Sequence, residues 1–229
     1  MKYWFIFFIL NSITGNFILT IIILFVAYLI LDKMFFNIIS GSIFGPIKRR
    51  RRIKSLLFEL RLNPSNANNA LELGTLYFES KKYTNAIEML DKAYERIDNS
   101  PRLHAFKGMS LMELSRSEAG KEELLKALNL DSSVIFGLPY IYLIRYELGS
   151  EKPDMDKVVE LEKSVAKFAN TENFYRMGKV YRKSGNNKKA VEMFDMAIRE
   201  YSYVQKKFRR IHRKWVWLSR LNKLTIKNK

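Results

Sequence analysis

Five residues recur at one spacing. Gly74, Tyr77, Ala86, Leu90 and Ala93 are separated by 3, 9, 4 and 3 positions. Gly178, Tyr181, Ala190, Phe194 and Ala197 repeat those intervals, and Gly108, Leu111, Gly120, Leu124 and Ala127 do so 34 residues after the first set. Small residues at fixed places in a period of about 34 point to paired helices. Gly74, Gly108 and Gly178 let two helices of one hairpin approach closely, with Ala86 and Ala190 serving the same contact from the second helix. Ala93, Ala127 and Ala197 sit where the next hairpin packs. One hairpin cannot bury its apolar face alone, so about three must stack.

The spacing resembles the tetratricopeptide repeat, and the resemblance implies an all-α solenoid that holds segments of other proteins. Gly178 lies 104 residues after Gly74, which is three units of 34 plus two. A degenerate unit is therefore expected between, with Tyr142, Arg145, Asp154, Val158 and Leu161 in the key slots and Tyr142 where Gly is preferred. Pro139 and Pro153 punctuate it, and Gly149 ends its first helix. The expected array runs over 67–203, divided into 67–100, 101–134, a degenerate 135–170 and 171–203. Ser100 before Pro101 reads as an N-cap and first-turn proline, and Asn66 caps the preceding unit's first helix. The segment 46–66 reads as a basic half-repeat capping helix, from Pro46 to Leu62.

Residues Phe17 to Leu31 form an almost unbroken apolar run. Extended to Ile13 and Phe36 it covers 24 residues, about 36 Å of helix against a hydrocarbon core of about 30 Å. The earlier run from Trp4 to Leu10 is too short to cross, and Asn11, Gly15 and Asn16 interrupt the pattern. No small-x-small cleavage site follows the apolar core. A basic block follows instead: Lys48, Arg49, Arg50, Arg51, Arg52 and Lys54. Such a block holds its end of a span in the cytoplasm. The expectation is a single-pass anchor over 1–45 in the plasma (inner) membrane, spanning about 13–36, with the amino terminus outside and the repeats cytoplasmic. Similar layouts occur among bacterial envelope proteins.

The net charge of +17 sits in the flanks. Residues 1–54 hold eight basic and one acidic side chain, residues 201–229 hold ten basic and none acidic, and residues 55–200 balance at 22 of each. In the tail 204–229, Val204, Phe208, Ile211, Trp215 and Leu218 recur at helical spacing. Two readings stand side by side: an extra helix closing the array, or a basic amphipathic helix on anionic lipid. In the second, Arg209, Arg210, Arg213 and Lys214 join the juxtamembrane block as the anionic-surface contacts. Nucleic acid ranks below both, since no recognised binding motif accompanies the basic residues.

No catalytic constellation is present. The chain has no cysteine, so thiol nucleophiles, thiolate metal sites and disulfides are absent. Its two histidines, His104 and His212, lie over 100 residues apart. No Gly-rich phosphate loop occurs. Neither enzyme activity, metal nor cofactor is expected. By the resemblance, the concave groove is lined by Leu71, Thr75 and Phe78, then Ala105, Met109 and Met112, then Tyr175, Lys179 and Arg182. Some family members hold a partner's carboxyl terminus with a Lys, Arg and Asn clamp. Leu71, Thr75, Ala105 and Met109 occupy those slots here, so the clamp is not expected. The expected function is a membrane-anchored scaffold that binds partner proteins at the cytoplasmic face. The alternative is a membrane-surface structural protein with a lipid-binding tail. An exposed apolar groove also permits self-association.

Overall fold

A computed structural model describes residues 2–35, 39–168 and 170–227. Among them the chain is helical throughout: α1 (Lys2–Thr14), α2 (Phe17–Phe35), α3 (Ile39–Leu62), α4 (Ala67–Glu79), α5 (Tyr83–Tyr94), α6 (Pro101–Glu113), α7 (Ser117–Leu130), α8 (Leu138–Leu148), α9 (Met155–Phe168), α10 (Thr171–Lys183), α11 (Asn187–Tyr203) and α12 (Arg209–Lys227). Short 3-10 turns at Val134–Gly137 and Lys206–Phe208 join α7 to α8 and α11 to α12.

Local chemistry sets the boundaries. Asn66, Ser100, Asn170 and Asn186 each accept a first-turn backbone N–H at the start of α4, α6, α10 and α11, which satisfies donors that the helix leaves orphaned. Pro101 follows Ser100 at a position with no hydrogen bond to lose. Between the two helices of three hairpins one residue takes positive φ: Lys81 (59°), Ser115 (63°) and Gly185 (83°). That residue reverses the chain in each unit.

The pairs α4–α5, α6–α7 and α10–α11 pack closely, and the recurrent glycines show why. A Cβ on Gly74 would stand 2.7 Å from Leu90, and one on Gly178 would stand 2.5 Å from the Phe194 ring. On Gly108 it would meet the Gly120 carbonyl oxygen at 2.7 Å. In α8 the slot is filled by Tyr142, and α8 and α9 pack less closely. One core joins the first two hairpins through Leu90, Ala93, Leu103, Met109 and Leu124. A second joins α8 to α11 through Ile144, Val158, Val165, Tyr181 and Phe194. The expected degenerate unit is thus a hairpin of two helices, preceded by a left-handed turn at Ile135, Phe136 and Gly137 (φ 50°, 54° and 75°).

The expected membrane span is overturned. Among the described residues no helix is long and apolar enough to cross a membrane. The run counted as one span is broken at Gly15 (φ 62°) and Asn16, so Ile13 and Thr14 belong to α1 while Phe17–Phe35 forms α2. Asp32 and Lys33 then end the uncharged part of α2 at Leu31, after about 22 Å of helix where about 30 Å is required. The expected end at Phe36 lies outside the described residues. The single-pass fold, and the plasma-membrane placement with amino terminus outside and cytoplasmic repeats, fall with the span.

Two further expectations shift. The capping helix begins at Ile39 rather than Pro46, which lies inside it. The tail's apolar stripe does not run from Val204: Val204 and Gln205 are extended, and a new helix starts at Arg209. Its inward register is set by α10 and α11, so Val216 and Ser219 are buried while Ile211 is 63% exposed.

Candidate functional site

Helices α4, α6, α8, α10 and α12 touch in succession and form one wall of the array. The sequence-predicted groove residues divide sharply along it. Thr75, Ala105, Met109 and Met112 are buried. Thr75 turns its hydroxyl onto the Leu71 carbonyl at 2.9 Å. Leu71 and Phe78 are half-buried and pack on the same core, Phe78 edge-on to Phe106 at 5.3 Å between centroids. The first two hairpins therefore close their own wall, because α6 is enclosed along nearly its whole length.

Open space lies instead over the last two hairpins and where they meet the end of α6 and the start of α7. A hollow of about 320 Å³ is lined by Tyr142, Arg145, Tyr175, Arg176, Lys179 and Trp215. A larger one of about 790 Å³ adjoins it, lined by Arg145, Leu148, Lys179, Arg182 and Lys183. A third, of about 650 Å³, runs past Glu113, Glu118, Arg145 and Lys183. Arg145 belongs to all three. Of the predicted groove residues, Tyr175, Lys179 and Arg182 share α10 at successive turns and meet here, and Met112 edges the third hollow although it is otherwise buried.

Several of these side chains are held by neighbours. Arg145 donates to Glu113 Oε1 at 2.6 Å and stacks over the Tyr142 ring at 4.5 Å. Burial, reinforced by Glu113, pushes the Tyr142 phenol well above its ordinary range, so it stays a neutral hydrogen-bonding group. Trp215 of α12 packs on Tyr175 with centroids 5.2 Å apart, and Arg176 lies over the Trp215 ring at 5.8 Å. Arg182 donates to Asn222 of α12 at 2.6 Å, and Lys223 pairs with Asp195 of α11. Helix α12 thus extends the wall. Lys179 and Lys183 are exposed.

Sequence reasoning placed Arg145 in a repeat slot and did not place it in the groove. The signal was present: Arg145 stands where the other units have Tyr77, Leu111 and Tyr181. Tyr181 there is buried and donates to Glu162. A guanidinium in that slot moves toward solvent, since an unpaired buried charge is costly.

The predicted anionic-surface residues also divide. Arg49 pairs with Glu79 at 3.1 Å and Arg52 with Glu72 at 2.6 Å, clipping α3 onto α4. Lys48, Arg50, Arg51 and Lys54 are exposed on α3. Arg209 donates to the Val204 and Ser202 carbonyls at 3.0 and 3.2 Å, closing the end of α11. Lys214 lies 4.4 Å over the Trp215 ring. Arg210 is exposed and Arg213 half-buried.

His104 is buried and structural. Its Nδ1 lies 2.6 Å from Glu123 Oε2 and its Nε2 lies 2.7 Å from the Asp98 carbonyl. Burial alone would raise the Glu123 carboxyl, but the hydrogen bond from His104 and the nearby Lys107 and Lys126 hold it below its ordinary value. Among the described residues no three His, Asp or Glu side chains converge as a metal ion would need.

Two family profiles, both described as tetratricopeptide repeat, match residues 67–99 and 172–202. No curated protein matches the sequence. Among solved structures, one titled "Crystal structure of MamA protein" superposes with TM-score 0.50 at 20% identity, over 71% of this chain and 87% of that one. A second MamA structure gives TM-score 0.49 at 21% identity, covering 66% of this chain and 86% of its own. YrrB, titled "a TPR protein with an unusual peptide-binding site", gives TM-score 0.48 at 20% identity, covering 76% and 88%. The two profile matches fall on the first and last hairpins, the two whose glycine and alanine spacing is fully kept, and the chain carries tetratricopeptide repeats over those two segments.

Proposed function

We propose that the chain is a non-catalytic scaffold that holds an extended acidic segment of a partner protein along α8, α10 and α12. The observation that carries this is the position of Arg145, shared by three adjoining hollows. Arg176, Lys179, Arg182 and Lys183 surround it. Glu113 already occupies one face of its guanidinium, so the geometry of a carboxylate contact is prefigured within the fold. Tyr175, Trp215 and Leu148 add apolar surface between the charges. Alternating basic and apolar contacts suit an extended peptide with acidic and apolar side chains. The predicted groove residues of the first two hairpins serve in this reading as the core that keeps the wall straight.

A random peptide display selected on the immobilised full-length chain tests it. Acidic peptides with interspersed apolar residues should be enriched, and Arg145→Glu with Lys179→Glu should abolish the enrichment. Enrichment that survives this double substitution, or that shows no acidic bias, would refute the assignment.

A further inference from the structure

The segment before the repeats carries a second feature, independent of the groove. Residues 3–31 contain no charged side chain. They form α1 and α2, and the chain bends back between them, since the Phe7 and Phe17 rings meet at 5.5 Å. A continuous helix would set those residues about 15 Å apart. Polar groups at the bend bond to one another. Thr20 is fully buried, its hydroxyl 2.6 Å from Thr14 Oγ1, 3.3 Å from Asn11 Oδ1 and 3.0 Å from the Asn16 carbonyl. Asn16 Oδ1 accepts from the Ile18 and Leu19 amides at 2.9 and 3.2 Å.

The outer surface of α2 is apolar on every side. Phe17, Ile18 and Leu19 follow one another around α2 and all are exposed, as are Ile21, Ile22 and Ile23. One protein face cannot cover a helix that is apolar all round. A second copy of the hairpin would cover one side of each helix and leave the others in water. Acyl chains cover every side, and they require polar backbone and side-chain groups to be satisfied internally, as at this bend.

Helix α3 supplies a matching charge. Arg49, Arg52 and the buried Leu56 face α4. On the opposite face Ile47, Arg50, Arg51, Lys54 and Phe58 are exposed. Basic side chains set among apolar ones fit an anionic lipid interface.

We infer that the amino-terminal segment is a lipid-embedded hairpin that does not cross: α1 and α2 lie among acyl chains with both ends on one side, and Arg50, Arg51 and Lys54 meet anionic phospholipid headgroups. Flotation of the full-length chain with vesicles tests it, using phosphatidylcholine alone and phosphatidylcholine with phosphatidylglycerol at about 3:1. The chain should float with both and bind the anionic vesicles more tightly. Changing Arg50, Arg51 and Lys54 together to Gln should weaken anionic binding by about a hundredfold at low salt. Ile22→Glu with Phe25→Glu should abolish flotation while circular dichroism shows the repeats intact. Because the chain lacks cysteine, Lys2→Cys and Asn68→Cys each provide a single thiol. Both should react with a membrane-impermeant reagent from the same side of sealed vesicles. Labelling of Lys2→Cys only after the vesicles are opened would mean that the chain crosses and would overturn the inference. So would vesicle binding untouched by the Ile22 and Phe25 changes, or those changes doing nothing but dissolve an oligomer.

Discussion

Glu113 of α6 and Arg145 of α8 meet at 2.6 Å across the floor of the open wall. The pair ties two successive hairpins and at the same time occupies the cation that a partner's carboxylate would need. Both side chains are only part-buried, with relative side-chain exposures of 25% and 34%, so the pair is one that a ligand can displace. Glu113→Gln is expected to keep the fold and to tighten binding of an acidic peptide several-fold, because it removes the internal competitor. Fluorescence anisotropy against the wild-type chain measures it. Weaker binding in the variant would assign Glu113 to the contact itself.

Helix α12 completes the wall through the contact of Trp215 with Tyr175. Trp215→Ala is expected to lower stability by about 2 kcal/mol, less than a fully buried Trp because this one is half-exposed. The loss should appear in urea unfolding together with weakened peptide binding. Unchanged binding would separate α12 from the groove.

The hairpin turns and the helix contacts place opposite demands on glycine. Ser115 and Lys81 hold positive φ without being glycine, whereas Gly108 has the Gly120 carbonyl where a Cβ would stand. Ser115→Gly should stabilise by about 0.5–1 kcal/mol. Gly108→Ala should destabilise by about 2 kcal/mol or more, because backbone must move. Thermal unfolding of both variants gives the signs. Equal effects would contradict the assigned turn and contact.

Acid should weaken the fold partly through Glu123. Its folded value lies below the ordinary 4.5, so its contribution is present above that value and is lost as pH falls through the lower folded value. Glu123→Gln should therefore lower stability at neutral pH and flatten the decline below about pH 4.5. Urea midpoints at pH 7 and pH 3 measure the difference. A parallel fall in variant and wild type would remove Glu123 from the acid response.

The repeat core was legible because close helix contact tolerates few residue types. Gly74, Gly108 and Gly178 announce it directly in α4–α5, α6–α7 and α10–α11. The open wall was harder to read. Slot position alone says which side chains lie near the concave side, but not which are covered. Met109 was read as lining, yet neighbouring helices enclose it, while Met112 keeps only an edge on the third hollow and Arg145 escapes burial because its charge excludes it from the core. The amino-terminal run misled for a different reason. Hydropathy averaged over residues 13–36 passes across Gly15 and Asn16, where the backbone turns and the helix ends. The tail's register was lost at Val204 and Gln205, since an extended pair resets which face of the next helix packs.

The central claim is that the wall around Arg145 receives an acidic protein segment. The most direct measurement is equilibrium binding of a display-selected acidic peptide to the full-length chain and to Arg145→Glu, with circular dichroism as the control for folding. The account predicts saturable binding that weakens as salt rises and is lost in the variant while helicity is retained. Binding of equal strength to both proteins would contradict it.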